Sequence, residues 1–263
     1  MILVNVDERE KYLNRFSACE DACILSAVSG MNGDMYIDNE ADPRLFVINV
    51  SDYTFIAGDP ETESISECLS FVDGLHKEDY NIRCVDKELE AVVESFFKDR
   101  ISPYSRFATE RTFKYMDPEA LKANTRKPGP EFSFAFIDRA LFEKCKKTEW
   151  MHGFVVSYET YEEFEKTGLG VMILKDGEPV SGASSYSSYP GGIEVEIITR
   201  EDHRKKGLAR AAGSALILEC MKRGLVASWD AAHEKSLELA KSLGYRFLYE
   251  YKIYRILDPW GRG

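Results

Sequence analysis

The sequence predicts a mixed α/β protein. Short apolar runs bounded by turn residues recur between residues 35 and 57 and again between 170 and 199. Segments with apolar residues at three-and-four spacing stand between and after them. In the second half the segments follow one another as β-β-β-α-β-α-β. That is the order of a mixed sheet with local hairpins and helices packed on it.

In the first half, residues 7–30 are expected as a helix. Tyr12, Phe16, Cys19, Cys23 and Ala27 share one side of it until Gly30 and Gly33 break the pattern. Strands are expected at 35–37, 45–50 and 53–57. Asn39 to Pro43 forms a turn between the first two, and Gly58-Asp59-Pro60 closes the set. Helical spacing returns at 64–75 and 86–99, and 105–115 reads as a strand. Composition then shifts. Lys122-Ala-Asn-Thr-Arg-Lys-Pro-Gly-Pro130 is polar, basic and proline-rich, so 122–130 is expected as a linker between an α/β domain at 1–121 and a second domain at 131–263. A long surface loop inside one domain is the other reading of that stretch.

The second half opens with a strand at 132–137, in which Phe132, Phe134 and Phe136 alternate onto one face and read as packing residues. Helices follow at 138–145 and 160–166. Strands at 170–175 and 179–189 are joined at Asp176-Gly177, and a turn at Tyr189 to Gly192 leads into a strand at 193–199. A helix runs from about 207 to 223 and ends at Gly224. A strand at 225–229, a helix at 234–243 closed by Gly244, and a strand or hairpin at 245–257 complete the chain's pattern.

The chain has 263 residues, 44% of them hydrophobic, and a net charge of −11. Nucleic acid and anionic membranes select basic surfaces, so neither is the expected partner, whereas a cationic amine suits this one. The first residues lack a signal-peptide core, and no apolar run nears the roughly 18 residues of a membrane span. A cytoplasmic location is expected. The six cysteines are scattered, with no CxxC pair and no histidine beside Cys19 and Cys23, so free thiols are expected and no metal site.

The chemistry concentrates at His203-Arg204-Lys205-Lys206-Gly207-Leu208-Ala209, between a strand and a helix. A helix start exposes unpaired N–H groups and about half a positive charge. Gly207 and Ala209 keep bulk away from that start. Arg204, Lys205, Lys206 and Arg210 place four cations within seven residues of an otherwise acidic chain. This composition points to an anion of pyrophosphate size. A solvated basic turn is the plainer reading. The loop fits neither GxxxxGK[ST] nor GxGxxG, which disfavours a nucleoside triphosphate or a dinucleotide. His203 reads as a loop residue, and Trp150 and Trp229 as core.

Arg204-x-x-Gly207-x-Ala209 resembles the (Arg/Gln)-x-x-Gly-x-(Gly/Ala) signature of the GCN5-related N-acetyltransferases, the GNAT superfamily. The segment from His233 through Gly244-Tyr245 is similar to the family's next helix at the same spacing. Gly168-x-Gly170 and Ser181-Gly182-Ala183-Ser184-Ser185 resemble the branch that includes zwittermicin A resistance-type acetyltransferases. The motifs cover roughly residues 150–257, and residues 33–60 resemble the same branch more faintly.

The resemblance implies a mixed-sheet GNAT fold in the second half, and a first half that is a degenerate copy of it. It implies acetyl-CoA as co-substrate and no metal. Its pyrophosphate would sit on Arg204 to Arg210. Its pantetheine arm would pair with the backbone of Ile197, Ile198 and Thr199, in a slot opened where strand 225–229 splays away. His233 stands where the family places an asparagine beside the cofactor. Glu194 and Glu196, two apart on a strand and so on one face, are the candidate general bases. A polar sheet face or an ion pair with a lysine is their other reading. The family's frequent thiolate-protonating tyrosine falls on Ala240, leaving Tyr186, Tyr189 and Tyr245 to be weighed for that role. The implied activity is acetyl transfer to a primary amine of a small molecule, in a chain compatible with a homodimer. A catalytically silent acyl-CoA-binding module and a protein N-acyltransferase are the rival implications.

Overall fold

The computed structural model describes residues 1–126 and 128–257 and is of mixed α/β class, as expected. Its described residues form two compact units, one of residues 1–106 and 250–257 and one within residues 107–249. Residue 127 of the expected linker and residues 258–263 of the expected second domain lie outside the described residues.

In the first unit, β1 (Ile2–Leu3), α1 (Val6–Arg9), a 3₁₀ turn and α2 (Ala22–Val28) precede β2 (Asp34–Ile37), β3 (Leu45–Val50) and β4 (Tyr53–Gly58). The expected single helix over 7–30 is broken. Asp21 starts a new helix by accepting the Cys23 N–H at 2.9 Å, as an N-cap does. α3 (Ile65–Leu75), β5 (Tyr80–Cys84), α4 (Leu89–Phe97) and β6 (Ile101–Thr109) follow. β1 to β4 pair antiparallel in order, and β5 lies parallel to β4. The core joins Leu45, Val47 and Ile56 of the sheet to Leu69, Val72 and Val93 of the helices.

His76 follows α3 and is buried, its Nε2 3.0 Å from the Thr54 hydroxyl and its ring stacked at 4.0 Å on Tyr80. Burial lowers its pKa to about 4, partly opposed by the Asp73 carboxylate. Below pH 6.5 the unfolded chain takes a proton that the folded chain refuses until about pH 4, so folding is weakened across that window. The loss should be on the order of 2 kcal/mol after allowing for partial solvent screening. Denaturant titrations between pH 7 and 4 should show the decline, and His76→Gln should flatten it.

In the second unit, α5 (Pro118–Thr125) precedes β7 (Phe132–Phe136), α6 (Arg139–Lys147), a 3₁₀ helix at Glu149–Val155 and α7 (Tyr161–Thr167). β8 (Gly170–Lys175), β9 (Glu178–Tyr189), β10 (Gly192–Thr199), α8 (Leu208–Arg223), β11 (Val226–Ser228), β12 (Asp230–Ala231), α9 (Glu234–Leu243) and β13 (Phe247–Ile256) complete the order. The sheet runs β11-β10-β9-β8-β7, antiparallel throughout except for the parallel β10–β11 pair. One core gathers Val171, Ile173, Ile193 and Val195 of the sheet with Leu208, Ala212 and Leu216 of α8. A second joins Met172 of the sheet to Phe142, Phe154, Tyr158 and Phe164.

Three expectations are corrected here. Residues 122–125, expected as the start of the 122–130 linker, are helical. Asp117 caps α5, Pro118 opens it, and Leu121 and Asn124 are buried. The compact units therefore divide at Arg106/Phe107 rather than at residues 122–130. The end of β13 belongs with the first unit, because Tyr254 pairs with Ile82 of β5. Phe134 and Phe136 share a face as expected but are 38% and 54% exposed. β7 is the sheet's edge, and Phe132 packs against the main core.

None of the six cysteines is joined in a disulfide. Among the described residues no group of three His, Cys, Asp or Glu is placed to hold a metal, and no helix is long and apolar enough to cross a membrane.

Candidate active site

β10 is paired unequally on its two sides. Against β9 it is laddered from Gly192 to Thr199. Against β11 only Gly192, Ile193 and Glu194 are paired, with Val226, Ala227 and Ser228. The chain then leaves β10, and Asp230 and Ala231 pair with Ala108 and Phe107 instead. From Val195 to Thr199 that side of β10 has no strand partner among the described residues. A sheet edge of this kind accepts an extended, amide-bearing chain as an added strand.

The open edge ends at Thr199, and the loop to α8 begins there. A 3₁₀ turn over Glu201–His203 leads to Lys205 at φ +63° and Gly207 at φ +78°, both left-handed. A side chain at Gly207 would carry left-handed strain, though a Cβ there meets nothing within 4 Å. No side chain caps α8, and its first backbone bond runs from Ala211 N–H to Gly207 carbonyl at 3.1 Å. The preceding amides at Leu208, Ala209 and Arg210 are the ones a helix start leaves without backbone partners.

A cavity of about 450 Å³ lies against this helix start. Its walls are Thr199, the loop residues His203, Arg204, Lys205 and Gly207, and Leu208 to Arg210, with Leu239 of α9 and Asn124 of α5. Three of these residues are Arg or Lys and none is a carboxylate. The cavity is therefore electropositive inside an acidic protein, a combination that selects an anion.

The structure brings Thr199, Arg204, Lys205, Gly207, Leu208, Ala209 and Arg210 together around this cavity. Lys206 turns aside, and its Nζ donates to the Asp202 carbonyl at 3.1 Å. Ile197 packs towards Gly213 of α8 and Ile198 towards Gly153, so only their backbones face the open edge. His233 does not line the cavity. It caps α9, its Nδ1 accepting the Ser236 N–H at 3.0 Å. His203 is buried with Nδ1 2.9 Å from Asp202. Hydrogen bonds from Arg200 and His203 hold the Asp202 carboxyl well below the usual range.

Asn124 and Leu239 escaped sequence reading. Asn124 lies in the 122–130 run, whose polarity predicts a linker. The signal that locates it is Asp117-Pro118, an N-cap followed by proline at the first helical position.

The two candidate bases share a face of β10 but not a role. Glu194 is 7% exposed, and its Oε1 accepts the Asp230 N–H at 2.8 Å. It is the last residue of β10 paired with β11, so its carboxylate staples the departing chain back to the strand it leaves. Glu196 lies two residues further along, beside the open edge, and is half-buried. It sits under the 3₁₀ helix. A Cβ on Gly153 would stand 3.8 Å from its Cγ and 3.0 Å from Ile198 Cδ1. The tyrosines divide similarly. Tyr245 donates to the Ala227 carbonyl at 2.8 Å, and burial pushes its pKa well up. Tyr189 shares a 2.7 Å bond with the Ser228 hydroxyl at the splay, and burial raises its pKa too.

If Glu194 holds the splay, Glu194→Ala should strand a buried amide and cost about 1–3 kcal/mol. Glu194→Gln keeps an acceptor for Asp230 and should cost under about 1 kcal/mol. Thermal melts of the two variants distinguish them, and equal melting temperatures would remove the staple.

A split β10 edge thus meets an uncapped, cation-rich helix start. The family model described as GNAT acetyltransferase matches residues 13–254. The chain belongs to this family. The match extends well beyond the region from 150 that the motifs marked, and includes segments of both compact units. The GNAT protein is 26% identical over 232 residues to the Bacillus subtilis (strain 168) protein named uncharacterized N-acetyltransferase YdfB, covering 84% of this chain and 85% of that one. A GCN5-related N-acetyltransferase-like protein from Streptococcus suis 89/1591 superposes with a TM-score of 0.87 at 32% identity, over 96% of this chain and 100% of the other. A tandem GNAT protein from the clavulanic acid biosynthesis pathway shares the fold, with a TM-score of 0.58 at 10% identity over 98% of each chain. These relationships support acyl transfer as the reaction class of this GNAT protein.

Proposed function

We propose that this GNAT protein transfers the acetyl group of acetyl-CoA to a primary amine of a small molecule. The observation that carries the reading is the continuity of the open β10 edge with the cavity at the α8 start. The residues present fit the cofactor. Gly207 has no side chain to enter the cavity, the helix start has no side-chain cap, and Arg204, Lys205 and Arg210 line the walls.

In this reading the amides of Leu208, Ala209 and Arg210 hold the pyrophosphate, with Lys206 held back by Asp202. The backbone of Ile197 to Thr199 pairs with the pantetheine arm. Acetyl-CoA supplies an activated thioester carbonyl as electrophile. Glu196 takes the proton of the incoming ammonium, directly or through one water, while Glu194 keeps the slot open. Ala240 offers no hydroxyl to the departing thiolate, and Tyr189 beside the splay is the candidate in its place. The net charge of −11 favours a cationic acceptor.

We further propose that the first unit is a degenerate copy of the second. Its antiparallel β2-β3-β4 followed by a parallel β5 repeats β8-β9-β10 followed by β11. Its own strand-to-helix loop, Asp59-Pro60-Glu61-Thr62-Glu63-Ser64, carries acids and no Lys or Arg, so it suits no phosphate. The zwittermicin A resistance-type branch is the placement within the family that Gly168-x-Gly170 and the 181–185 run favour.

Ala240, and His233 engaged in capping, favour a second reading, a silent acyl-CoA-binding module. Isothermal titration with acetyl-CoA, followed by CoA-release assays over an amine panel, separates the two. Release with small amines supports the proposal. Binding without release across the panel supports the silent module, and release with peptides alone supports a protein acyltransferase.

A further inference from the structure

Helix α5 has two buried residues on its inner side, Leu121 and Asn124. Leu121 packs into the main core with α8, as helix-on-helix contact requires. Asn124 is 8% exposed, and there an apolar side chain would pack without hydrogen-bonding demands. Its Nδ2 donates at 3.2 Å to the hydroxyl of Ser214, a fully buried residue of α8. That bond fixes the plane of the carboxamide. The same residue forms part of the wall of the cavity that Arg204, Lys205 and Arg210 also line. A carboxamide supplies polar contact there without adding a negative charge to the wall.

We propose that Asn124 is a binding residue of the acyl-CoA cavity, its carboxamide oriented by Ser214 and presented to the phosphate-bearing end of the cofactor. This rests on the cavity being the acyl-CoA site. It assigns a cofactor contact to a helix that lies before the sheet of its unit and outside the 203–209 loop.

The test is acetyl-CoA titration of the full chain and of Asn124→Ala, Asn124→Asp, Ser214→Ala and Gly207→Glu, each checked by thermal melting. Asn124→Ala should raise Kd roughly tenfold, the scale of one lost hydrogen bond to a charged group. Asn124→Asp should raise it further, and its excess over Asn124→Ala should shrink with added salt, because that excess is charge repulsion. A packing role would instead show as a lowered melting temperature in Asn124→Ala with acetyl-CoA affinity unchanged. Wild-type affinity in both Asn124 variants, with Gly207→Glu impaired, would overturn the assignment while sparing the cavity. Wild-type affinity in Gly207→Glu would sink the cavity reading and Asn124 with it. If the Asn124 variants do not fold, Ser214→Ala decides. It leaves Asn124 in place, and a Kd raised severalfold supports the proposal, whereas an unchanged Kd overturns it.

Discussion

Gly207→Glu is expected to weaken acetyl-CoA binding by roughly 100-fold or more. Gly207 holds φ +78° at the start of α8, and its missing Cβ would meet nothing within 4 Å. Alanine there adds only left-handed strain, on the order of 1–2 kcal/mol. Glutamate adds a carboxylate to a cavity lined by Arg204, Lys205 and Arg210 and directed at an anion. It competes for the helix amides and repels the pyrophosphate, and about 2.7 kcal/mol of lost binding corresponds to the 100-fold change. Titration calorimetry on wild type, Gly207→Ala and Gly207→Glu measures both contributions. Equal affinity in all three would mean that the loop holds no pyrophosphate.

The second large effect concerns turnover. Glu196→Gln is expected to lower kcat by roughly 10²–10⁴-fold, the range of a lost general base, with acetyl-CoA affinity little changed. Glutamine keeps the shape and loses the proton acceptor. In contrast, Glu194→Gln preserves the acceptor for Asp230 and should retain most activity. Steady-state rates with the best amine of the panel, taken across pH, provide the comparison. The acid limb of the profile should disappear in Glu196→Gln. Loss in Glu194→Gln instead would move the role to Glu194, and retained turnover in both single variants and the double variant would remove the carboxylate base altogether.

The loop into α8 was legible because its features are local. A residue without Cβ, a helix start and clustered cations all show within seven letters. The shared face of Glu194 and Glu196 was equally plain, since alternation along a strand is local too. Their different roles were not. The bond from Asp230 to Glu194 exists because β11 stops at Ser228, and nothing in the strand's composition sets that length. Helix α5 was misread because Lys122, Ala123, Asn124 and Thr125 have a linker's polarity, whereas a helix packed on one side needs only a narrow buried stripe. Phe134 and Phe136 failed for the complementary reason. Periodicity says which residues face together, and only the tertiary fold says whether anything covers them.

The pairing of Tyr254 with Ile82 also sets a timetable for synthesis. The strand that completes the first unit's sheet leaves the ribosome after every residue of 107–249. At ordinary elongation rates of about 5–20 residues per second, β5 waits on the order of ten seconds for that neighbour. The unit encoded first is therefore the last to be finished. During the wait an unpaired strand edge stands open to chaperones, which makes nascent-chain protection of residues 80–84 a natural place to look for this protein's dependence on the cell.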